Sequence, residues 1–147
     1  MTQPTIQQRL ARPFDPAELR LIKRTWVRHS IAEDRRDIDG LLATLSEDCV
    51  YEIVPTGQRW AGHDGARAFY TELFAAFPDN AFALSEIVIG PQGVFEVATL
   101  SGTNEGPWAG VPPSGLAVSL EVLILFPWDP VAERFSGERI WFDRGSL

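Results

Sequence analysis

Cysteine is nearly absent from this chain: Cys49 is the only one in 147 residues. That excludes an internal disulfide framework and a dithiol redox pair. Cys49 stands beside Val50 and Tyr51 at the start of a predicted strand, where a small buried apolar residue is expected rather than a nucleophile. Histidine is almost as scarce. His29 and His63 are far apart, with no HExxH motif and no His/Cys cluster. No metal site is therefore expected, and each His is expected at a surface or a helix end. Basic residues are outnumbered, 13 Lys and Arg against 20 Asp and Glu, for a net charge of −7. Such a surface is unsuited to nucleic acid, whose affinity rests on Lys and Arg. No apolar run approaches the roughly 20 residues that span a bilayer. The opening "MTQPTIQQRLARPF" has no signal-type apolar segment, so the expected location is cytoplasmic, with neither nucleic acid nor membrane as a partner. GxGxxG, GxxxxGK[ST] and GxSxG are all missing, which leaves no phosphate cradle, no cofactor motif and no nucleophile elbow. The charge run "EDRRD" (33–37) reads as a solvated loop.

What the chain has is patterned apolar sequence. Its length and its 45% hydrophobic and 22% charged composition suit one globular domain. Residues 1–14, polar and broken by Pro4 and Pro13, read as a flexible arm before a single domain over 15–147. "DPAE" then supplies an N-cap, a proline at the first helical position and a glutamate at the third. Leu19, Ile22, Trp26 and Ile31 continue at near-helical spacing. A short second helix is expected to carry Ile38, Leu41, Leu42 and Leu45. "CVYEIVP" switches to period two and stops at Pro55. A third helix after "WAGHDG" carries Phe69, Leu73, Phe74 and Phe77. From residue 82 onward the pattern is all strand, with "GPQG" as a hairpin turn and "NEGPWAGVPPSG" and "PWDP" as loops. The expected class is α+β, with three helices in the N-terminal half laid over one face of a curved sheet.

The segments "LLATLSEDCVYEIVP", "WAGHDGARAFYTELFAAFPD", "GTNEGPWAGVPPSG" and "GERIWFD" resemble the SnoaL-like, polyketide cyclase-like branch of the nuclear transport factor 2-like superfamily. The resemblance covers roughly residues 16–145. It implies a cone-shaped, strongly curved mixed or antiparallel sheet around an internal apolar pocket closed by the helices. It also implies a homodimer and a hydrophobic small-molecule ligand. Polyketide cyclases, ketosteroid isomerase-like enzymes, limonene epoxide hydrolase-like enzymes and non-catalytic proteins share this fold, so function has to be argued from the site.

Strand parity selects the candidate residues. In "LAVSLEVLILF" the set Val118, Leu120, Val122, Ile124 and Phe126 faces inward and Glu121 outward. In the last strand Glu138, Ile140 and Phe142 share the inward face, and in "VYEIVP" the family resemblance implies that Tyr51 and Ile53 point in. Where the similar cyclases and epoxide hydrolases keep an inward Asp this chain has Ile140, and their His after "GT" is Asn104 here. The Asp-Arg-Asp set of the epoxide hydrolases has no match. The expected catalytic residues are Glu138 as acid or base, Tyr51 as hydrogen-bond donor, and Asp143 at the chain end. The expected substrate contacts are Trp26, Ile53, Phe69, Asn104, Trp108 and Ile140. The chemistry implied is cofactor-free proton transfer next to a carbonyl, of isomerase, cyclase or lyase type. The alternative is a non-catalytic ligand-binding domain, in which Glu138 pairs with Arg67 or with Arg139 of a neighbouring chain.

Overall fold

The computed structural model describes residues 3–147; Met1 and Thr2 of the predicted arm lie outside the described residues. The rest of the arm is partly ordered by local chemistry. Thr5 and Gln8 form a capping box that starts a short helix, α1 (Ile6–Leu10). Arg12 then hydrogen-bonds the Pro91 carbonyl and pairs with Glu18, which fastens the arm to the hairpin it passes.

The "DPAE" start behaves as its residues dictate. Asp15 accepts the Ala17 amide, Pro16 occupies the first turn, and α2 runs over Pro16–Asp34. Its inner stripe is Ile22, Thr25, His29 and Ala32. Asp37 caps α3 (Ile38–Leu42). Leu45, expected at that helix's end, instead opens β1 (Leu45–Ile53). A four-residue strand, β2 (Gln58–Ala61), returns along β1 and leads into α4 (Gly62–Ala76). This strand was not predicted, because four residues are too few for a period-two pattern to show. The remaining strands are β3 (Ala81–Gly90), β4 (Gly93–Thr103), β5 (Ala117–Asp129) and β6 (Arg134–Trp141), followed by a 3₁₀ turn, Arg144–Ser146. The "PWD" of the second predicted loop continues β5.

The strands form one mixed six-stranded sheet in the order β2-β1-β6-β5-β4-β3. All neighbours are antiparallel except β1 and β6, which run parallel. The chain's last strand is therefore inserted near the middle of the sheet, with Tyr51 and Glu138 side by side in register. α4 packs on the β1–β2 end and α2 on the β3–β4 end, so the curved sheet closes as a cone over a core containing Ile22, Leu41, Phe77, Val94 and Phe135. The parity argument holds: Leu120, Val122, Ile124 and Phe126 are buried and Glu121 is exposed. None of the described helices is long and apolar enough to cross a membrane.

Gly137 governs how closely the central pair can approach. Its φ of 109° is one that L side chains avoid, and a Cβ there would strike the Val50 backbone. This glycine sits where the β1–β6 register shifts and directly precedes Glu138.

Candidate functional site

Glu138 enters the core from β6 and is 2% exposed. Its Oε1 is 3.0 Å from His29 Nε2, 3.0 Å from the Tyr70 hydroxyl and 3.4 Å from the Tyr51 hydroxyl. Tyr51 and Tyr70 are themselves 2.9 Å apart. The groups around Oε1 come from three elements: His29 from α2, Tyr70 from α4 and Tyr51 from the neighbouring strand β1. Burial, reinforced by the Glu138 charge, pushes both phenols well above their ordinary range, so they remain O–H donors.

The tautomer of His29 follows from its other side. The Thr44 hydroxyl gives its one proton to the Leu41 carbonyl at 2.7 Å, leaving its oxygen to accept from His29 Nδ1 at 2.7 Å. Nδ1 therefore carries a proton and Nε2 faces Glu138. With Nε2 also protonated the contact is an ion pair; without that proton the Tyr70 hydroxyl, 3.0 Å from Nε2, is the donor.

In front of Glu138 lies a cavity of about 20 Å³, room for one water. Phe69, Phe82, Trp108, Val122, Ile124 and Ile140 wall it, and its only ionisable lining groups are Glu138 and Glu33. Glu33 stands one helical turn beyond His29 on α2 and is half-buried. Burial, with the charges of Glu138, Glu96 and Asp34, pushes its carboxyl well above the usual carboxylate range, and no hydrogen bond offsets the shift. Glu96, from β4, accepts the Trp26 indole N–H at 3.2 Å. Burial and the Glu138 charge raise its pKa to about 7.

Several expectations need correction. His29 is neither at a surface nor at a helix end: it is 2% exposed and central to the network. Glu33 is not in a solvated loop, because α2 extends to Asp34 and turns it toward the cavity. Within the chain Glu138 pairs with His29 and not with Arg67, which pairs with Asp39. Asp143 lies apart from the network, exposed, where it caps the final turn by accepting the Gly145 amide. Tyr51 is bound to Glu138 but does not line the cavity; it steadies the carboxylate from behind. Phe69, Trp108 and Ile140 do line it. Ile53 is core, Trp26 is turned to Glu96, and Asn104 is wholly buried with its side-chain amide unpaired.

No metal site was expected, yet the fold brings ligand-type atoms of His29, Glu33 and Glu138 within 4.8 Å of one another. Of these, His29 and Glu138 are joined by a hydrogen bond, and the Glu33 side chain stands free of one among the described residues. An ion held by Glu138 Oε1 and His29 Nε2 would compete with the Tyr70 hydroxyl, which sits 3.0 Å from both.

A curved α+β cone of this strand order has the nuclear transport factor 2-like fold. More narrowly, the model of the SnoaL-like polyketide cyclase family matches residues 22–147, and the chain belongs to that family. No curated protein matches the sequence significantly. Among solved structures, a SnoaL-like protein from Jannaschia sp. CCS1 superposes with a TM-score of 0.74 at 24% identity, covering 90% of this chain and 92% of that one. A second, from Shewanella denitrificans OS-217, gives 0.72 at 15% identity over 90% and 94%. A protein of ketosteroid isomerase-like fold from Catenulispora acidiphila, solved in complex with trimethylamine, gives 0.69 at 11% over 84% and 88%. At these identities the likeness establishes the fold.

Proposed function

We propose that the protein is a cofactor-independent enzyme that moves a proton on the carbon next to a carbonyl of a hydrophobic small molecule. Isomerisation, aldol-type cyclisation and dehydration all begin with that step. One observation carries the reading: a carboxylate 2% exposed, with His29, Tyr70 and Tyr51 gathered on one oxygen, lines an apolar cavity. Glu138 is the base. His29 and the tyrosines orient it, and the apolar walls keep water from levelling its basicity.

Substrate entry has to enlarge the cavity, and Trp108 is the wall placed to yield. It lies on the 104–115 loop, where a bridge to Val111 closes a two-residue turn at Ala109 and Gly110. Both turn residues have positive φ, 51° and 75°, as a type I′ turn requires.

The test is hydrogen exchange at the carbon beside the carbonyl of 2-tetralone in D₂O, followed by proton NMR. Wild type is expected to accelerate exchange, and Glu138→Gln to lose about 10²- to 10⁴-fold of that rate, the usual contribution of a positioned base. Full exchange by the variant would remove Glu138 from the mechanism.

A second reading, a non-catalytic binding domain, is favoured by one feature: the lining is apolar apart from its two carboxyl groups. The trimethylamine held by the Catenulispora relative shows a small ligand in a protein of this fold. On this reading 2-tetralone raises the melting temperature but is not exchanged.

A further inference from the structure

The base accounts for one of the two ionisable groups lining the cavity; the other, Glu33, remains. It carries the same functional group within 4.8 Å of Glu138 and His29, yet its surroundings are opposite. Glu138 Oε1 lies within hydrogen-bond distance of His29 and Tyr70, whereas among the described residues Glu33 makes no side-chain hydrogen bond and has no Lys or Arg acting on it. The charged or titratable groups that face it are Glu138 from β6, Glu96 from β4, and Asp34 and His29 from its own helix. Burial first, and then the negative charge of these carboxyl groups, favours the protonated form of Glu33. Its O–H thus has no acceptor among the described residues and lies at a cavity whose only other ionisable lining group, among the described residues, is Glu138.

We propose that Glu33 is the proton donor of the site, delivering its proton to the substrate's carbonyl oxygen as Glu138 removes one from the adjacent carbon. This rests on the reading of Glu138 as base. The step balances without a co-reactant. The C–H electron pair becomes the C=C bond of the enol, the carbonyl π pair goes to oxygen, and that oxygen takes the Glu33 proton. Glu138 ends protonated and Glu33 ionised; return of the proton from Glu138 to the same or a conjugated carbon, with Glu33 recovering its own, completes an exchange or an isomerisation. The spacing suits the step. In a C–C=O unit the reacting carbon and oxygen are about 2.4 Å apart, so carboxyl oxygens within 4.8 Å of each other can straddle them.

The same geometry specifies the substrate class. With two carboxyl groups and no Lys or Arg in the lining, a carboxylate or phosphate beside the reacting carbonyl would face like charge with nothing to offset it. The substrate is an enolisable ketone that is uncharged at its reacting end.

The 2-tetralone exchange assay is run with wild type, Glu33→Gln and Glu138→Gln, each first matched to wild type in near-ultraviolet circular dichroism and melting temperature. Glu33→Gln is expected to lose about 10²-fold. It is also expected to lose the fall in rate that wild type shows at high pH as Glu33 gives up its proton, a limb that a purely structural role would leave in place. Phenylpyruvate, an anionic ketone, is expected to exchange no faster than in buffer. Glu33→Gln within twofold of wild type, with its high-pH limb intact and Glu138→Gln inactive, overturns the role of Glu33 alone. A wild type that exchanges nothing, or an active Glu138→Gln, overturns the base and this proposal with it. Exchange abolished by EDTA and restored by Zn²⁺ would make Glu33 a ligand rather than an acid and also overturns it. Fast exchange of phenylpyruvate overturns the substrate class.

Discussion

Glu96 shows how one buried carboxyl sets the behaviour of another. It is 7% exposed, its only side-chain partner is the Trp26 indole, and its pKa is raised to about 7. A carboxyl whose folded pKa lies above its unfolded value is protonated in the native state where the unfolded chain has already ionised. Stability is therefore fully present below about pH 4.5 and is lost as pH rises toward 7. Glu96→Gln keeps an acceptor for the indole and removes the ionisation. The variant is expected to show a flatter urea midpoint between pH 5 and 7, and at pH 8 to be more stable than wild type by up to about 3 kcal/mol. The same substitution takes one negative charge from beside Glu33. The Glu33 carboxyl then ionises more easily, so the high-pH limb of the exchange profile is expected to move to lower pH. A limb that stays put would mean that Glu96 does not act on Glu33.

At the level of elements, the long strands were legible, whereas the four-residue β2 and the helix faces were not. Period-two alternation put Glu138 and Ile140 on one face, because on a strand parity leaves only two choices, and the family resemblance put Tyr51 inward. On α2 the inward stripe mixes apolar and polar residues, and Arg20, Lys23, Arg24 and Arg28 around it give the helix a charged look. A signal was present: from Ile22, steps of three and four reach Thr25, Trp26, His29 and Glu33. Tyr70 likewise follows Ala66 and precedes Leu73 and Phe77 along α4's buried face. What sequence could not supply was the partner of each residue, since the His29–Glu138 contact spans 109 residues. Gly137 yields a prediction at this scale. Gly137→Ala would force a Cβ into Val50 at a φ of 109°, and is expected to cost about 2–4 kcal/mol, read as a lowered urea midpoint together with lost exchange activity.

For the whole molecule, one group of exposed apolar side chains lies at the β3 end of the sheet. β3 is an edge strand, and Leu84, Ile87 and Val88, with Phe95 of β4, are exposed. Pairing of two copies through this end is proposed. Light scattering after size exclusion is expected to give twice the chain's 16.4 kDa, and Val88→Glu, a charge placed on a residue 64% exposed, to give the monomer without loss of the fold. A monomeric wild type at micromolar concentration would remove this surface as the interface.

The parallel pairing of β1 with β6 has a consequence for how the protein comes into being. Residues near the two ends of the domain are neighbours in the sheet, while β1's other neighbour is only the short β2. During synthesis the β1–β2 hairpin and its helices emerge first, with the β1 edge that β6 will cover still bare. The antiparallel β3–β4–β5 meander can follow by local contacts, but the two parts are joined only when the final strand leaves the ribosome and slides between them. Such a late, non-local closure is slow and leaves a strand edge open to other chains in the meantime. Glu138 rides on that strand, so neither the complete sheet nor the contacts of Glu138 with His29, Tyr51 and Tyr70 can form before β6 is in place.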